Sequence, residues 1–317
     1  MGGFSSEHDI SIKSASIVYK YLNVEKFNLY KIHITKKSWY YSDNQNNKYH
    51  INKNNFSLTI QEKKINFDVV FNAIHGSPGE NGILQAYFEL LNIPHTSCDS
   101  YQSALTFNKR DLLSTLQAYN IKCATSYLLN LGDIIKTKDI VSKVGLPCFV
   151  KANKAGSSFG ISKVYEENLL EIAIKKAFKE DDEIIIESFL DGTEVSVGVI
   201  TYQGKITVLP ITEIVSENDF FDYEAKYEGK SQEITPARIT EVQKNKVNYL
   251  ASFIYKKLKL KGFTRSEFIF IEDEPYLLEV NTTPGLTEES ILPQQAIKYG
   301  ITLEQLFENA ITEALKK

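Results

Sequence analysis

The chain has 317 residues, 43% of them hydrophobic and 24% charged, with a formal net charge of −4. This is a globular composition, long enough for two or three domains. It excludes a basic nucleic-acid or lipid footprint, and no apolar run reaches the roughly 20 residues of a membrane span. The sequence opens without a signal-peptide core. Its three cysteines, Cys98, Cys123 and Cys148, are far apart and odd in number, which fits a reducing cytoplasm better than a disulfide framework or a zinc site.

In chain order, Gly2-Gly3-Phe-Ser-Ser-Glu7 reads as a strand-to-helix loop, although no strand precedes it. Residues 10–22 form an amphipathic pattern with Ile10, Ile17, Val18 and Leu22 as its apolar members. Short strands are expected at 29–34 and 39–41. Residues 43–55, rich in Asn, Asp and Lys, read as an exposed loop or hairpin tip. Residues 68–73 read as a buried strand, running into the His75-Gly76-Ser-Pro-Gly-Glu80 loop and a helix over 81–91. This alternation predicts a small α/β domain with a largely parallel sheet. Ligands of such sheets bind beyond the strands' carboxyl ends, where the Gly2-Gly3 and His75-Gly76 loops would lie.

A domain boundary is expected just before a helix at 109–119. A strand at 127–129 and a helix near 138–144 follow, and then a buried strand ends on the cation Lys151. Residues 153–160 form a Gly/Ser loop between two strands. Its N–H groups can cradle phosphate, although it is not a Walker A motif, and a plain hairpin tip would look similar. After a helix at 169–178, the strand 183–187 leads into Glu187-Ser-Phe189-Leu190 and Glu194. Segments of this kind read an adenine edge with backbone groups and a ribose with a carboxylate. A hairpin is expected at 194–209. Residues 220–227 are aromatic and charged without clean periodicity, as in a functional lid or a packed surface loop. A long helix at 241–258 precedes two consecutive strands.

On the first of those strands, at 263–271, Arg265 and Glu267 share a face. On the second, Glu279 and Asn281 do. Two carboxylates, an amide and a cation on one sheet face suit a hard divalent ion beside an anion; the alternative is a surface ion-pair ladder. The second strand ends at Pro284-Gly285, where glycine lets backbone approach a ligand.

Taken in order, Gly2-Gly3-Phe-Ser-Ser-Glu7, Asn72-Ala-Ile-His-Gly76, Gly79-Glu80-Asn-Gly82, Gly156-Ser-Ser-Phe-Gly160, Asp222-Tyr-Glu-Ala-Lys-Tyr227, Arg265-Ser-Glu267 and Glu279-Val-Asn-Thr-Thr-Pro-Gly285 with Ser290 resemble the D-alanine–D-alanine ligases of the ATP-grasp superfamily. The likeness spans essentially the whole chain. It implies an ATP-grasp fold in three domains: an N-terminal α/β substrate domain over 1–108, a central domain over 109–195, and a C-terminal α+β catalytic domain over 196–317. It also implies ATP-dependent joining of two D-alanines through an acyl phosphate, for peptidoglycan precursor synthesis, in a cytoplasmic homodimer. Mg²⁺ is implied, as two ions with Mn²⁺ able to substitute.

Residue by residue, the resemblance implies that Lys109 and Lys151 contact the ATP phosphates and that Gly156, Ser157, Ser158 and Gly160 cover them. Glu187, Phe189 and Leu190 would hold adenine, and Glu194 the ribose. Glu267, Glu279 and Asn281 would bind the metal. Lys226 would neutralise the transferring phosphoryl, and Arg265 and the Gly285 N–H would form an oxyanion hole. Glu7 would meet the first D-alanine's ammonium, His75 would lie near its carboxylate, and Ser290 would hold the second substrate's carboxylate. Glu7, Ser157 and Tyr227 would form a hydrogen-bonded set, and Tyr227 favours an amine nucleophile over a hydroxyl one.

The sequence departs from the family pattern most at its start, where a parallel strand before the Gly-Gly loop is missing; open edges and a cavity are the expected result. Ala152, Glu267 and Asn81 stand where the family more often has Pro, Asp and Asp. The other readings are a different ATP-grasp carboxylate–amine ligase and a catalytically silent nucleotide-binding protein.

Overall fold

A computed structural model describes residues 1–156, 160–216 and 231–316. Three antiparallel sheets organise them. The first is a meander in sequential order, of β1 (Ile32–Ile34), β2 (Trp39–Ser42), β3 (Lys48–Asn52), β4 (Ser57–Ile60) and β5 (Lys63–Ile65). It is the chief correction to the sequence reading, which expected a parallel sheet here and a loop or tip through β3. Among the described residues, the parallel relationships in this region are single bridges, Gly2 with Ile34 and Val70 with His95. Residues 68–73 are extended but form no strand. Val70 exchanges hydrogen bonds with Pro94 and Thr96 along one edge, and a strand needs a ladder rather than apolar composition alone. Along residues 28–34 and 65–74, beneath Val18 and Leu22, lies an open cleft of about 700 Å³.

Helix α1 (His8–Tyr21) buries Ser11, Ser14 and Val18, a stripe at helical spacing that is two-thirds polar. Of the apolar members of the pattern, Val18 and Leu22 are buried, and Ile10 and Ile17 are half-buried. Helices α2 (Ile83–Leu90), α3 (Ser100–Phe107) and α4 (Lys109–Gln117) carry the chain across. The Asn108 side chain caps α4 by accepting the Asp111 N–H.

The second sheet has the order β6 (Ser126–Asn130), β9 (Glu183–Ser188), β7 (Cys148–Ala152), β8 (Ser162–Val164). Its one face packs Cys148, Val150, Ile184 and Ile186 on α5 (Thr137–Val144) and α6 (Glu167–Ala177). Strand alternation leaves Phe149, Lys151, Ile185 and Glu187 on the other face.

The third sheet runs β13 (Ser231–Ile234), β12 (Thr212–Ser216), β10 (Thr193–Tyr202), β14 (Phe263–Ile271), β15 (Glu274–Asn281), with β11 (Lys205–Val208) hairpinned onto β10. Helix α7 (Glu241–Lys257) starts in a Thr240/Gln243 capping box and covers the sheet with Val247, Ala251 and Ile254. Val195, Val197, Phe268, Phe270 and Leu277 belong to the same core, which also includes Ile185 of the second sheet. Helices α8 (Ile291–Tyr299) and α9 (Leu303–Leu315) pack with Val18 and Leu22 around Phe263 and Phe307, seating the start of the chain against its end. All three cysteines are free, and no helix among the described residues is long and apolar enough to cross a membrane.

Candidate active site

The β14–β15 register pairs Arg265 with Asn281 and Glu267 with Glu279, as strand alternation predicted. Glu267 is buried, and its Oε1 makes no hydrogen bond among the described residues; Arg265 Nη2 lies 2.9 Å from it as an ion pair. Glu279 Oε2 lies 3.2 Å from Lys109 Nζ, which also donates to the Ala155 carbonyl at 2.8 Å. Asn281 Oδ1 accepts the Thr283 N–H at 2.8 Å, which fixes the amide and leaves its oxygen a second lone pair. Two carboxylates, one of them buried, and an amide oxygen on one sheet face fit a hard divalent ion.

This strand end opens onto a cleft of about 500 Å³. Glu7, His75 and Lys109 line it, with Gly156, Arg265 and Glu279. Asn281, Gly285 and Ser290 complete its floor. These residues come from five distant stretches of sequence. Glu7 is 7% exposed and sits at the start of α1. A Cβ at Gly156 would lie 2.7 Å from Glu7 Oε1, and one at Gly285 would lie 2.8 Å from Ser290 Oγ, so both glycines allow close approaches that no larger residue could share. Ser290 Oγ accepts the Thr287 N–H at 3.1 Å and lies 2.7 Å from Thr287 Oγ1.

His75 is fully engaged by protein. Its Nδ1–H donates to the Thr283 carbonyl at 2.7 Å, and its Nε2 accepts from Ser14 Oγ at 2.8 Å, which defines the neutral tautomer. Burial lowers its pKa, which keeps that form at neutral pH. Ser14 Oγ also accepts the Leu286 N–H at 3.2 Å. His75 thus clamps the 283–286 turn to α1, and neither ring nitrogen is left for substrate while those bonds stand. Glu80, quoted as part of a motif without a role, accepts the Gly76 N–H at 2.9 Å. Burial, followed by the nearby Glu7 carboxylate, pushes it up to about 8.

Of the residues expected to hold the nucleotide, Lys109 and Gly156 line this cleft, whereas Lys151, Glu187, Phe189, Leu190 and Glu194 do not, lying on or just after the second sheet and on β10. Lys151 Nζ meets Glu187 Oε2 at 2.7 Å. Burial works against the Lys151 charge, but Glu187, then Glu279 and Glu194, hold its pKa above the ordinary value. The Phe149 and Phe189 rings are 6.1 Å apart, with Lys163 Nζ 4.0 Å from the Phe189 centroid. Such a half-buried, basic and aromatic strip suits a planar base with its phosphates leading toward Lys151 and Lys109. Glu194 starts β10 opposite Ile269 and Ile214. Ser157, Ser158, Lys226 and Tyr227 lie outside the described residues, and Gly160 lies two residues before β8.

The sequence reading missed Ser14, Lys13, Thr287 and Glu289, of which the last three line the cleft. Only the i, i+4, i+7 spacing of Glu7, Ser11 and Ser14 signalled that α1 turns a polar stripe inward.

Carboxylates, an amide oxygen and a cation gathered on one cleft are the donor set that phosphate-handling enzymes use with a divalent ion. The family signature of the D-ala D-ala ligase N-terminus matches residues 1–98, and that of the D-ala D-ala ligase C-terminus matches residues 117–312. A D-alanine–D-alanine ligase from Flavobacterium johnsoniae is 65% identical over 315 residues, covering 99% of this chain and 98% of the relative. Among solved structures, the VanG D-Ala:D-Ser ligase from Enterococcus faecalis superposes with a TM-score of 0.85 at 31% identity, over 99% of this chain and 97% of that one. The Bacillus anthracis D-alanine–D-alanine ligase complexed with ATP gives 0.79 at 26%, over 99% and 95%. The chain belongs to the D-alanine–D-alanine ligase family and has its ATP-grasp fold.

Proposed function

We propose that this enzyme joins two D-alanine molecules into D-alanyl-D-alanine, driven by ATP, as a step of peptidoglycan precursor synthesis. The carrying observation is that Glu7, Arg265, Glu279, Asn281, Gly285 and Ser290 all open onto one cleft. The carboxylate of the first D-alanine takes the γ-phosphoryl of ATP, giving an acyl phosphate and ADP. The amine of the second then attacks the carbonyl carbon, and the tetrahedral intermediate releases phosphate and a proton.

The nucleotide lies along Phe149, Lys151, Glu187, Phe189 and Leu190, with Glu194 toward the ribose. Lys109 and Lys151 hold its phosphates, under a loop that includes Gly156, Ser157, Ser158 and Gly160. Glu267, Glu279 and Asn281 would hold Mg²⁺, as two ions replaceable by Mn²⁺. When bound, the metal neutralises phosphate charge and keeps the transferring group in line. Glu7 receives the first substrate's ammonium. Arg265 and the Gly285 N–H face the oxyanion, where fixed donors act most strongly. Ser290 takes the second substrate's carboxylate. His75 positions rather than binds, because it holds the turn that carries Gly285. Lys226 neutralises the transferring phosphoryl, and Tyr227 favours an amine nucleophile. The domains divide at 108/109 and 195/196, and the enzyme acts as a cytoplasmic homodimer.

The test is phosphate release with ATP and Mg²⁺. Release that requires D-alanine, fails with L-alanine and is not supported by D-lactate as second substrate is the expected result. Nucleotide binding without turnover would establish the silent reading instead.

A further inference from the structure

Away from the cleft, three ligating side chains converge where α2 ends and α3 begins. One oxygen each of Glu89 and Asp99 and one ring nitrogen of His95 lie within 4.8 Å of one another. The His95 side chain is only 6% exposed. Its Nε2 makes no hydrogen bond among the described residues, the nearest carboxylate oxygen being Glu89 Oε1 at 4.0 Å, beyond hydrogen-bonding range. The other ring nitrogen, Nδ1, is 3.2 Å from Ser97 Oγ, which orients the ring.

The carboxylates are held too. Glu89 accepts the Ser100 N–H at 2.7 Å and the Ser100 hydroxyl at 2.8 Å. Asp99 lies 2.8 Å from Lys261 Nζ, which reaches across from the turn before β14. The place is a seam. The Lys261 N–H donates to Cys98 Sγ at 3.2 Å, and a Cβ on Gly262 would collide with the Thr96 carbonyl.

We propose that Glu89, His95 and Asp99 form a binding site for one divalent transition ion of the zinc type. An imidazole nitrogen with two carboxylates is a zinc-like donor set that leaves a fourth position for water, whereas the three oxygens of the cleft suit a harder ion. Metal–ligand bonds of 2.0–2.2 Å put tetrahedral ligand atoms about 3.4 Å apart. The cluster therefore closes by roughly 1 Å, which rotation of the partly exposed Glu89 and Asp99 side chains supplies. The Ser97–Nδ1 contact is the kind of second partner that fixes a liganding imidazole. The ion ties the last turn of α2 to the first of α3. Lys261 is its built-in competitor, because its ammonium holds Asp99 in the ion's absence.

The probe is Co²⁺, added to the chelator-stripped full chain with millimolar Mg²⁺ and ATP present to occupy the cleft. The expected result is one Co²⁺ per chain with the visible absorption of a tetrahedral site. Affinity should fall about 10- to 100-fold or more in His95→Gln and Asp99→Asn, and rise in Lys261→Met. Ligase activity should persist in all three variants, showing that they fold. A Co²⁺ spectrum unchanged in His95→Gln, or no spectrum in the wild-type chain under the same conditions, overturns the proposal.

Discussion

Glu279 carries two roles that its geometry separates. It partners Lys109 and shares the metal face with Glu267 and Asn281. Its side chain is about a quarter exposed, so the fold depends on it little. Glu279→Gln should therefore lower turnover about 100-fold or more while moving the melting temperature by only a few degrees; an unchanged rate would overturn the metal assignment. Glu80 behaves in the opposite way. Its folded pKa, about 8, lies above the ordinary 4.5, so between those values the folded state keeps a proton that the unfolded chain has lost. Its contribution is fully present below about pH 4.5 and fades as pH rises toward 8. Glu80→Gln should accordingly gain stability relative to wild type as pH goes from 5 to 8. Melting curves whose difference does not change with pH would sink that account. That Arg265, Glu267, Glu279 and Asn281 come together on one sheet face was legible in the sequence, because alternation on two consecutive strands fixes their faces. Ser14 was not. A serine on a helix gives no signal of its own, and its partners, His75 and Leu286, are 61 and 272 residues away.

Among elements, hairpins and long helices were readable and isolated strands were not. The β7–β8 and β10–β11 pairs and α7 follow from local pattern and turn chemistry. Residues 68–73 have strand composition but only the 94–96 segment to pair with, and pairing is a property of neighbours, not of the segment. The antiparallel meander β1–β5 was missed for a related reason. A β-α alternation suggests parallel crossovers, but short loops between successive strands favour direct antiparallel partners. The element that most governs the site is α1, through Ser14. Ser14→Ala removes a donor to His75 and the acceptor for the Leu286 N–H, leaving two buried groups unmatched. The expected cost is about 1–3 kcal/mol, with a raised Michaelis constant for D-alanine as the 283–286 turn loosens. Equal melting temperature and equal constants in wild type and variant would refute the clamp.

At the scale of the whole molecule, the cleft of about 700 Å³ beside β1 sets where the structure is under-packed. Ala15 lines it, half-buried. In a close-packed core three added carbons cost about 1–3 kcal/mol; here Ala15→Leu should be neutral or raise the melting temperature, and a fall of more than about 3 °C, roughly the scale of 1 kcal/mol in a larger domain, would show the space is not available. The clamp has a consequence of another kind. Ser14 meets the 281–290 segment across nearly the full length of the chain, and Glu7 lines the same cleft as that segment. Contacts of such separation close late and depend on everything between them. The catalytic geometry is thus among the least local parts of the structure, whereas the β1–β5 meander, held by successive strands, is among the more local. In a denaturant series, ligase activity should vanish at a lower concentration than the far-ultraviolet circular dichroism signal. The gap between the two midpoints measures how firmly the beginning of the chain is docked onto its end.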